Sequence, residues 1–255
     1  MSLTAEQLAS YEKNGFLVVE NLVTGSTLQR VRDAITEICE DAATRGKSRI
    51  GDVQTEPDSA SGAATATATA PAAAKRRALR KLNGLVPGDD FFKSVVSAPR
   101  ILDIAAELSG GAEQIMLYSD QVFLKPAFEG SEKPLHQDNS YFRVTPHSHG
   151  VTCWLAVDDA TEENGCMRYI PGSHKLGLIP HKQLTPAHLT PEGSGFGEEV
   201  PVPVKAGSAI FHHLLCLHSS KANTSPHSRR AWALHYANRA AESSVRKWEE
   251  MVQLR

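Results

Sequence analysis

His136 and Asp138 lie two positions apart in the stretch PLHQDNSYF, directly after a proline. Strand side chains alternate between the two faces of a sheet, so an H-x-D pair on a strand places an imidazole and a carboxylate on the same face. Two such groups can bind one metal ion from adjacent positions. A hydrogen-bonded surface pair is the alternative that these two residues alone leave open.

A third metal ligand has to come from elsewhere, and the chain has eleven histidines to choose from. His218 follows a glycine-marked turn and an apolar strand, and Arg229 enters a new strand eleven residues later. Together with His136 and Asp138, His218 forms the two-histidine, one-carboxylate set typical of non-haem Fe(II), which leaves coordination positions open. A guanidinium at Arg229 suits the far carboxylate of a dicarboxylic cosubstrate. The adjacent Arg230 is the alternative for that role.

Three segments carry a resemblance to a known family: LHQDNSYF, WLAVDDATEENGCMRYIPGSHKLG and LHSSKANTSPHSRRAWALHY. They resemble the phytanoyl-CoA dioxygenase-like family of Fe(II)- and 2-oxoglutarate-dependent oxygenases, over residues 4–240 with a poor match at 54–74. The resemblance implies Fe(II) as cofactor, 2-oxoglutarate and O2 as cosubstrates, and a small-molecule substrate. Succinate and CO2 are the implied co-products.

The same resemblance assigns roles to individual residues. His136, Asp138 and His218 are similar to the iron ligands. The implied 2-oxoglutarate contacts are Arg229, Ser220, Trp154 and Lys81. In the halogenating members a glycine or alanine replaces the carboxylate ligand, so the presence of Asp138 predicts against halogenation.

Residues that follow the first ligands are candidates for contact with the substrate. We predict that Gln137, Tyr141 and Arg143 bind the substrate, with plain packing as the alternative. His212 and His213 are adjacent in an apolar strand, so one should face the interior and the other the outside. We assign His213 to the substrate site and leave a structural role open for both.

The N-terminal part of the sequence predicts helices and one strand. Thr4 and Gln7 fit a capping box, residues 16–23 form a short apolar run typical of a strand, and apolar spacing predicts a helix over 26–44. Residues 54–74 are low-complexity Ala, Thr, Ser and Pro, which predicts a flexible loop. The basic run at 75–81 is interpreted as a solvated helix start, and another short helix is predicted over 98–111.

From residue 114 the pattern changes to short β-rich runs separated by turns, which is typical of a sandwich or barrel. We therefore predict one domain over 1–255, mainly β with flanking α. Its double-stranded β-helix core, jelly-roll or cupin-like, covers 114–240, and the N-terminal helices and strand of residues 4–53 pack outside it.

Composition narrows the class of protein. The 255 residues are 41% hydrophobic and 22% charged, with a net charge of -2. That balance gives no electrostatic reason for a nucleic-acid or membrane partner. The four cysteines are scattered, which argues against disulfides and a thiolate zinc site and favours the cytoplasm. We expect a monomer or a homodimer.

Three other functions remain open at this point. The same cofactor chemistry can lead to epimerisation, cyclisation or desaturation in place of hydroxylation. A metal-dependent jelly-roll isomerase would not use 2-oxoglutarate, and a binding protein on an oxygenase scaffold would not turn over at all. The substrate predicted by the sequence is a small polar metabolite or a natural-product intermediate, in secondary metabolism, in preference to a fatty acyl-CoA.

Overall fold

The computed structural model describes residues 3–45, 48, 50–56, 78–185 and 188–255. The helices are α1 (Ala5–Asn14), α2 (Gly25–Arg45), α3 (Asp90–Val96), α4 (Pro99–Leu108) and α5 (Asn139–Phe142). The strands of the first half are β1 (Phe16–Val19), β2 (Asp52–Thr55), β3 (Leu79–Asn83), β4 (Ile115–Lys125), β5 (Lys133–His136), β6 (Val144–Thr145) and β7 (Gly150–Ala156). The later strands are β8 (Met167–Tyr169), β9 (His181–Thr185), β10 (His188–Pro191), β11 (Val200–Val202), β12 (Ala209–His213), β13 (His218–Ser220), β14 (Arg229–Asn238), β15 (Glu242–Ser243) and β16 (Val252–Gln253).

Two antiparallel sheets form the centre of the molecule. The larger has the strand order β1-β12-β7-β14-β4-β3-β2, with β16 also paired to β4, and the smaller has the order β11-β8-β13-β5. The long strand β14 pairs with β4 on one side and with β7 on the other. The prediction of a mainly β fold is therefore confirmed.

Alternation along the strands of the larger sheet separates two hydrophobic cores. Val31 and Ile35 of α2 belong to one cluster with Leu155, Trp232 and other residues of β7 and β14. The opposite faces of the same strands contribute Trp154, Ala231 and Ala233 to a second cluster, which includes Tyr169 of the smaller sheet. Each fully buried large apolar side chain stabilises the fold by about 1.5–3 kcal/mol. The second face also bears the polar residues discussed below.

Local signals in the N-terminal part give the elements that the sequence predicts. The side chain of Thr4 accepts from the backbone N–H of Gln7, and the Gln7 side chain accepts from the N–H of Thr4, so the capping box is present. The predicted helices over 26–44 and 98–111 correspond to α2 and α4. The predicted strand over 16–23 is shorter and ends at Val19.

The structure corrects the helix start predicted for the basic run at 75–81, in the part of that run that it describes. Residues 79–81 belong to β3, because Leu82 is buried in the core and Lys81 pairs with Phe123 of β4. The interpretation as a helix start is wrong there, and residues 75–77 lie outside the described residues. The predicted loop over 54–74 overlaps β2 at 54–55, and residues 57–74 also lie outside the described part.

Two further properties concern the cysteines and the helices. All four cysteines are free thiols, as the scattered spacing predicts. Across the described residues, no helix combines the length and apolar character that crossing a bilayer requires.

Candidate metal centre and cosubstrate pocket

The smaller sheet brings two of the predicted metal ligands together. His136 is the last residue of β5 and pairs with His218, the first residue of β13, so the ring centroids are 4.2 Å apart. Asp138 has left the strand: its φ of -57° and ψ of -37° place it at the N-cap of α5. The expectation that one strand face carries the H-x-D pair is therefore wrong. A turn into α5 brings the carboxylate to the same point.

The three side chains form a buried ligand set. Ligand atoms of His136, Asp138 and His218 all lie within 4.8 Å of one another. Oδ1 of Asp138 is 3.5 Å from Nε2 of each histidine. Each Nδ1 lies within hydrogen-bond distance of a backbone carbonyl, Pro134 O at 2.8 Å and Cys216 O at 2.9 Å. When Nδ1 carries the hydrogen, the lone pair of Nε2 is free for a metal.

The second carboxylate oxygen of Asp138 is held by its neighbours. Oδ2 accepts a hydrogen bond from the Thr152 hydroxyl at 2.7 Å and lies 3.0 Å from Nε2 of His212. An ionised carboxylate only accepts, so His212 donates from Nε2 and its Nδ1 accepts from the Tyr169 hydroxyl, 2.9 Å away. This chain of bonds fixes the carboxylate and leaves Oδ1 directed at the two histidines.

The protonation states suit a divalent cation. Burial lowers the pKa of His136 to about 4, and burial followed by the charge of His136 holds the pKa of His218 well below its usual range. Burial alone would raise the pKa of Asp138, but His218, His136 and His212 lower it well below its usual range. At neutral pH the site therefore presents two neutral imidazoles and one carboxylate, which are the forms that bind metal.

The ligand set opens into a cavity of ≈ 300 Å³ between the two sheets. Arg229, Ser220, Trp154 and Lys81, the four predicted cosubstrate residues, all line it. The metal set and the predicted cosubstrate contacts therefore share one cavity.

Arg229 is a buried cation with unused hydrogen-bonding capacity. It is 1% exposed, and its guanidinium carbon lies 5.2 Å from the centroid of the Trp154 ring. One terminal nitrogen donates to the carbonyl of Gly165 at 2.7 Å, whereas Nε has no partner among the described residues. Burial lowers the pKa of Arg229 to about 10, so it remains charged at neutral pH. An unpaired buried donor on a cation fits the carboxylate of a dicarboxylic ligand.

Arg230, the alternative to Arg229, has a different role. Its guanidinium binds Asp158 through two hydrogen bonds of 2.8 Å and also contacts Arg32 and Thr36 of α2. It connects the larger sheet to α2 and is not part of the cavity wall.

Of the four predicted substrate contacts, Tyr141 lines the cavity and the other three do not. Gln137 is fully buried and saturated, because its amide nitrogen donates to Gly177 and Leu215 and its oxygen accepts from the N–H of Ile179. Arg143 is exposed at the end of α5. The structure thus places both away from the cavity.

His213 also faces away from the cavity. Its Nδ1 accepts from the N–H of Leu215, and its ring lies 5.4 Å from that of His174. Strand alternation turns His212 inward instead.

His212, Thr152 and His235 lie beside the ligand set; the sequence analysis left His212 with an open structural role and did not name Thr152 or His235. They lie opposite one another on three adjacent strands, with Thr152 between the two histidines. Strand alternation could have indicated two of them, because Thr152 lies on the same strand face as Trp154, and His235 on the same face as Arg229. His235 is buried, and its Nε2 has no partner within the described part of the chain.

A buried two-histidine, one-carboxylate site with an open side is the site type of non-haem Fe(II) oxygenases. Comparison with known sequences agrees with this class. The model of the phytanoyl-CoA dioxygenase (PhyH) family matches residues 11–231. The chain belongs to the phytanoyl-CoA dioxygenase family, as its motifs predict. It is similar to the phytanoyl-CoA dioxygenase domain-containing protein 1 homolog of Caenorhabditis elegans, with 29% identity over 94% of this chain and 91% of the relative.

Solved structures share the fold. The non-heme alpha-ketoglutarate-dependent carbocyclase SnoK from nogalamycin biosynthesis is similar with a TM-score of 0.71 and 20% identity, over 97% of this chain and 89% of that one. The epimerase SnoN, crystallised with Fe3+, alpha-ketoglutarate and nogalamycin RO, has a TM-score of 0.69 and 20% identity, over 93% and 84% of the two chains. At these identities the likeness concerns the fold.

Proposed function

We propose that the protein is an Fe(II)- and 2-oxoglutarate-dependent dioxygenase that hydroxylates a small metabolite or natural-product intermediate, with release of succinate and CO2. The observation that carries this proposal is the presence of the His136, Asp138 and His218 ligand set and the buried, partly unpaired Arg229 in one cavity. The family membership and the fold shared with an alpha-ketoglutarate-dependent carbocyclase and an epimerase support it.

His136 and His218 would hold the iron through Nε2, and Asp138 through Oδ1. When bound, Fe(II) supplies the activation of O2 that couples the oxidative decarboxylation of 2-oxoglutarate to the oxidation of the substrate. Thr152 and His212 keep the carboxylate of Asp138 in its binding orientation.

Arg229 binds the far carboxylate of 2-oxoglutarate, with Ser220 as a neighbouring hydroxyl. Trp154 keeps the guanidinium in place through its ring face and excludes water from that end of the cavity. Lys81 is a further cation on the same wall, where its ammonium lies 5.1 Å from the centroid of the Phe123 ring.

The direct test is anaerobic addition of 2-oxoglutarate to the Fe(II)-loaded protein. We expect a new visible absorption band. In air we expect succinate release, and a screen of metabolite classes should find the substrate as the compound that accelerates this release. No spectral change on adding 2-oxoglutarate would favour the metal-dependent isomerase without an oxoacid. Failure to bind Fe(II) would favour a binding protein on an oxygenase scaffold.

Epimerisation or cyclisation is the second candidate reaction. It is favoured by the shared fold with the SnoN epimerase and the SnoK carbocyclase. Product analysis separates the outcomes, because hydroxylation adds one oxygen atom to the substrate, whereas epimerisation leaves its mass unchanged and oxidative cyclisation removes two hydrogens. We propose a role in secondary metabolism on the same grounds.

A further inference from the structure

A group of cationic side chains lines the cavity in addition to Arg229. Arg80 and Lys81 of β3 and Lys133 of β5 all contribute to its wall. None of the three forms an ion pair with a carboxylate in the described part of the chain. The pKa of Lys133 is lowered to about 7, chiefly by burial; Asp138 opposes the shift, and the nearby Lys81 and Arg80 add to it. Uncompensated cations in a buried wall are costly unless an anion joins them.

Lys133 and Tyr141 form a donor pair with unused hydrogens. The ammonium of Lys133 donates to the Tyr141 hydroxyl oxygen at 3.1 Å, and the N–H of Leu189 in β10 donates to the same oxygen at 2.8 Å. A phenol oxygen has two acceptor positions, so both are filled and its own hydrogen is left to donate. The ammonium also keeps two of its three hydrogens. The pair can therefore donate several hydrogen bonds to one acceptor group.

Arg80 and His188 complete this part of the wall. The guanidinium of Arg80 contacts Nε2 of His188, whose Nδ1 is 3.1 Å from the Thr185 hydroxyl. The hairpin of β9 and β10 is thereby held beside Lys133 and Tyr141. These contacts fix the donors before any ligand arrives, which lowers the entropy cost of binding.

The cosubstrate does not account for these donors. In the proposed function, on which this inference rests, the metal takes the keto acid end of 2-oxoglutarate and Arg229 takes the far carboxylate. Burial lowers the pKa of Lys125, another lysine of the cavity wall, to about 6, so Lys125 adds little positive charge at neutral pH. A divalent metal and a doubly charged cosubstrate cancel each other, so neither takes up the positive charge of Lys133 or Arg80.

We propose that Lys133 and Tyr141, with Arg80 beside them, bind an oxyanion of the substrate, so that the substrate is a small molecule bearing a carboxylate or a phosphate group. The cavity volume of ≈ 300 Å³, shared with 2-oxoglutarate, restricts this molecule to a small size. The oxyanion site orients the substrate, and the carbon to be oxidised lies on the part of the molecule nearer the metal.

The test uses full-length protein loaded with Mn(II) and 2-oxoglutarate, titrated by calorimetry with inorganic phosphate, acetate or acetamide. We expect phosphate or acetate to bind, and acetamide, which has no charge, to bind at least about tenfold more weakly. Lys133→Met should lower the affinity for the anion by about tenfold or more, and Tyr141→Phe should lower it by several-fold. The matched control is Lys182→Met, which removes the same charge from an exposed position on β9.

Preference for phosphate or for acetate identifies which oxyanion the site takes. Equal anion affinity in wild type and Lys133→Met would overturn the inference, as would equal binding of acetamide or no binding of either anion. The same titrations report 2-oxoglutarate affinity separately. If 2-oxoglutarate fails to bind, the proposed function fails, whereas the difference between Lys133→Met and Lys182→Met still decides the oxyanion site.

Discussion

His212 offers the most informative perturbation of the metal centre, because it touches the ligand and not the metal. It donates to Oδ2 of Asp138 at 3.0 Å and is only 1% exposed. A hydrogen bond to a charged group contributes about 1.5–3 kcal/mol. Each 1.4 kcal/mol corresponds to about a factor of ten in affinity. We therefore expect His212→Leu to weaken Fe(II) binding by about 10- to 100-fold, which is the usual range for residues that support a metal ligand.

The adjacent His213 supplies a matched control. It lies on the same strand with the opposite orientation and binds the N–H of Leu215, so His213→Leu should lower stability and leave Fe(II) affinity unchanged. Tyr169→Phe removes the donor to Nδ1 of His212 and should weaken Fe(II) binding by less than His212→Leu. His212→Gln, whose amide N–H can replace the donor, should recover part of the loss.

Anaerobic equilibrium dialysis against Fe(II), corrected for the folded fraction from thermal melts, measures these affinities. A readout of metal affinity separates a positioning role from general destabilisation, which would move both histidine variants together. Wild-type affinity in His212→Leu would refute the reasoning, and so would equal losses in His212→Leu and His213→Leu.

Three further predictions concern the cosubstrate, the metal and pH. Arg229→Lys should raise the KM for 2-oxoglutarate by about 10- to 100-fold, because an ammonium cannot bind a carboxylate through two nitrogens. Arg230→Lys should lower the melting temperature and leave that KM unchanged. Initial rates of succinate release measure the KM of both variants. Asp138→Ala should lose Fe(II) binding in dialysis and succinate release while keeping its far-UV circular dichroism, and retained iron would contradict the ligand assignment. Burial lowers the pKa of His213 to about 4 from 6.5, so its neutral form stabilises the fold fully above pH 6.5 and this contribution, up to about 3 kcal/mol, is lost as the pH falls towards 4. In urea titrations of the metal-free protein, His213→Gln should lose less stability on acidification than wild type, and an equal loss would exclude this role.

Much of the site could be predicted from residue types and spacing. An imidazole and a carboxylate two positions apart, a distal histidine and an arginine eleven residues later have few other uses in combination. His136, His218 and Arg229 are placed as the pattern requires, since each stands at the end or the start of a strand that local sequence defines. Apolar periodicity was enough for α2, because a helix of that length presents one continuous face.

Local sequence could not predict the turn at Asp138, because both a longer strand and a strand-to-helix turn satisfy the H-x-D spacing. The choice depends on Oδ2 finding Thr152 and His212, which are 14 and 74 residues away. The buried amide of Gln137 was unpredictable for the same reason, since its partners come from two distant loops.

The sequence by itself determined the residues of the candidate metal site, the buried arginine proposed to bind the cosubstrate and the β-rich half that holds them, because these depend on residue identity and short-range pattern. Only the tertiary structure decided that His212 faces the metal centre while His213 does not. The two residues are alike in type and in local context, and a shift of one position in strand register exchanges their faces. The pairing of β12 with β1 and β7 fixes that register, and it is a contact between segments far apart in the chain.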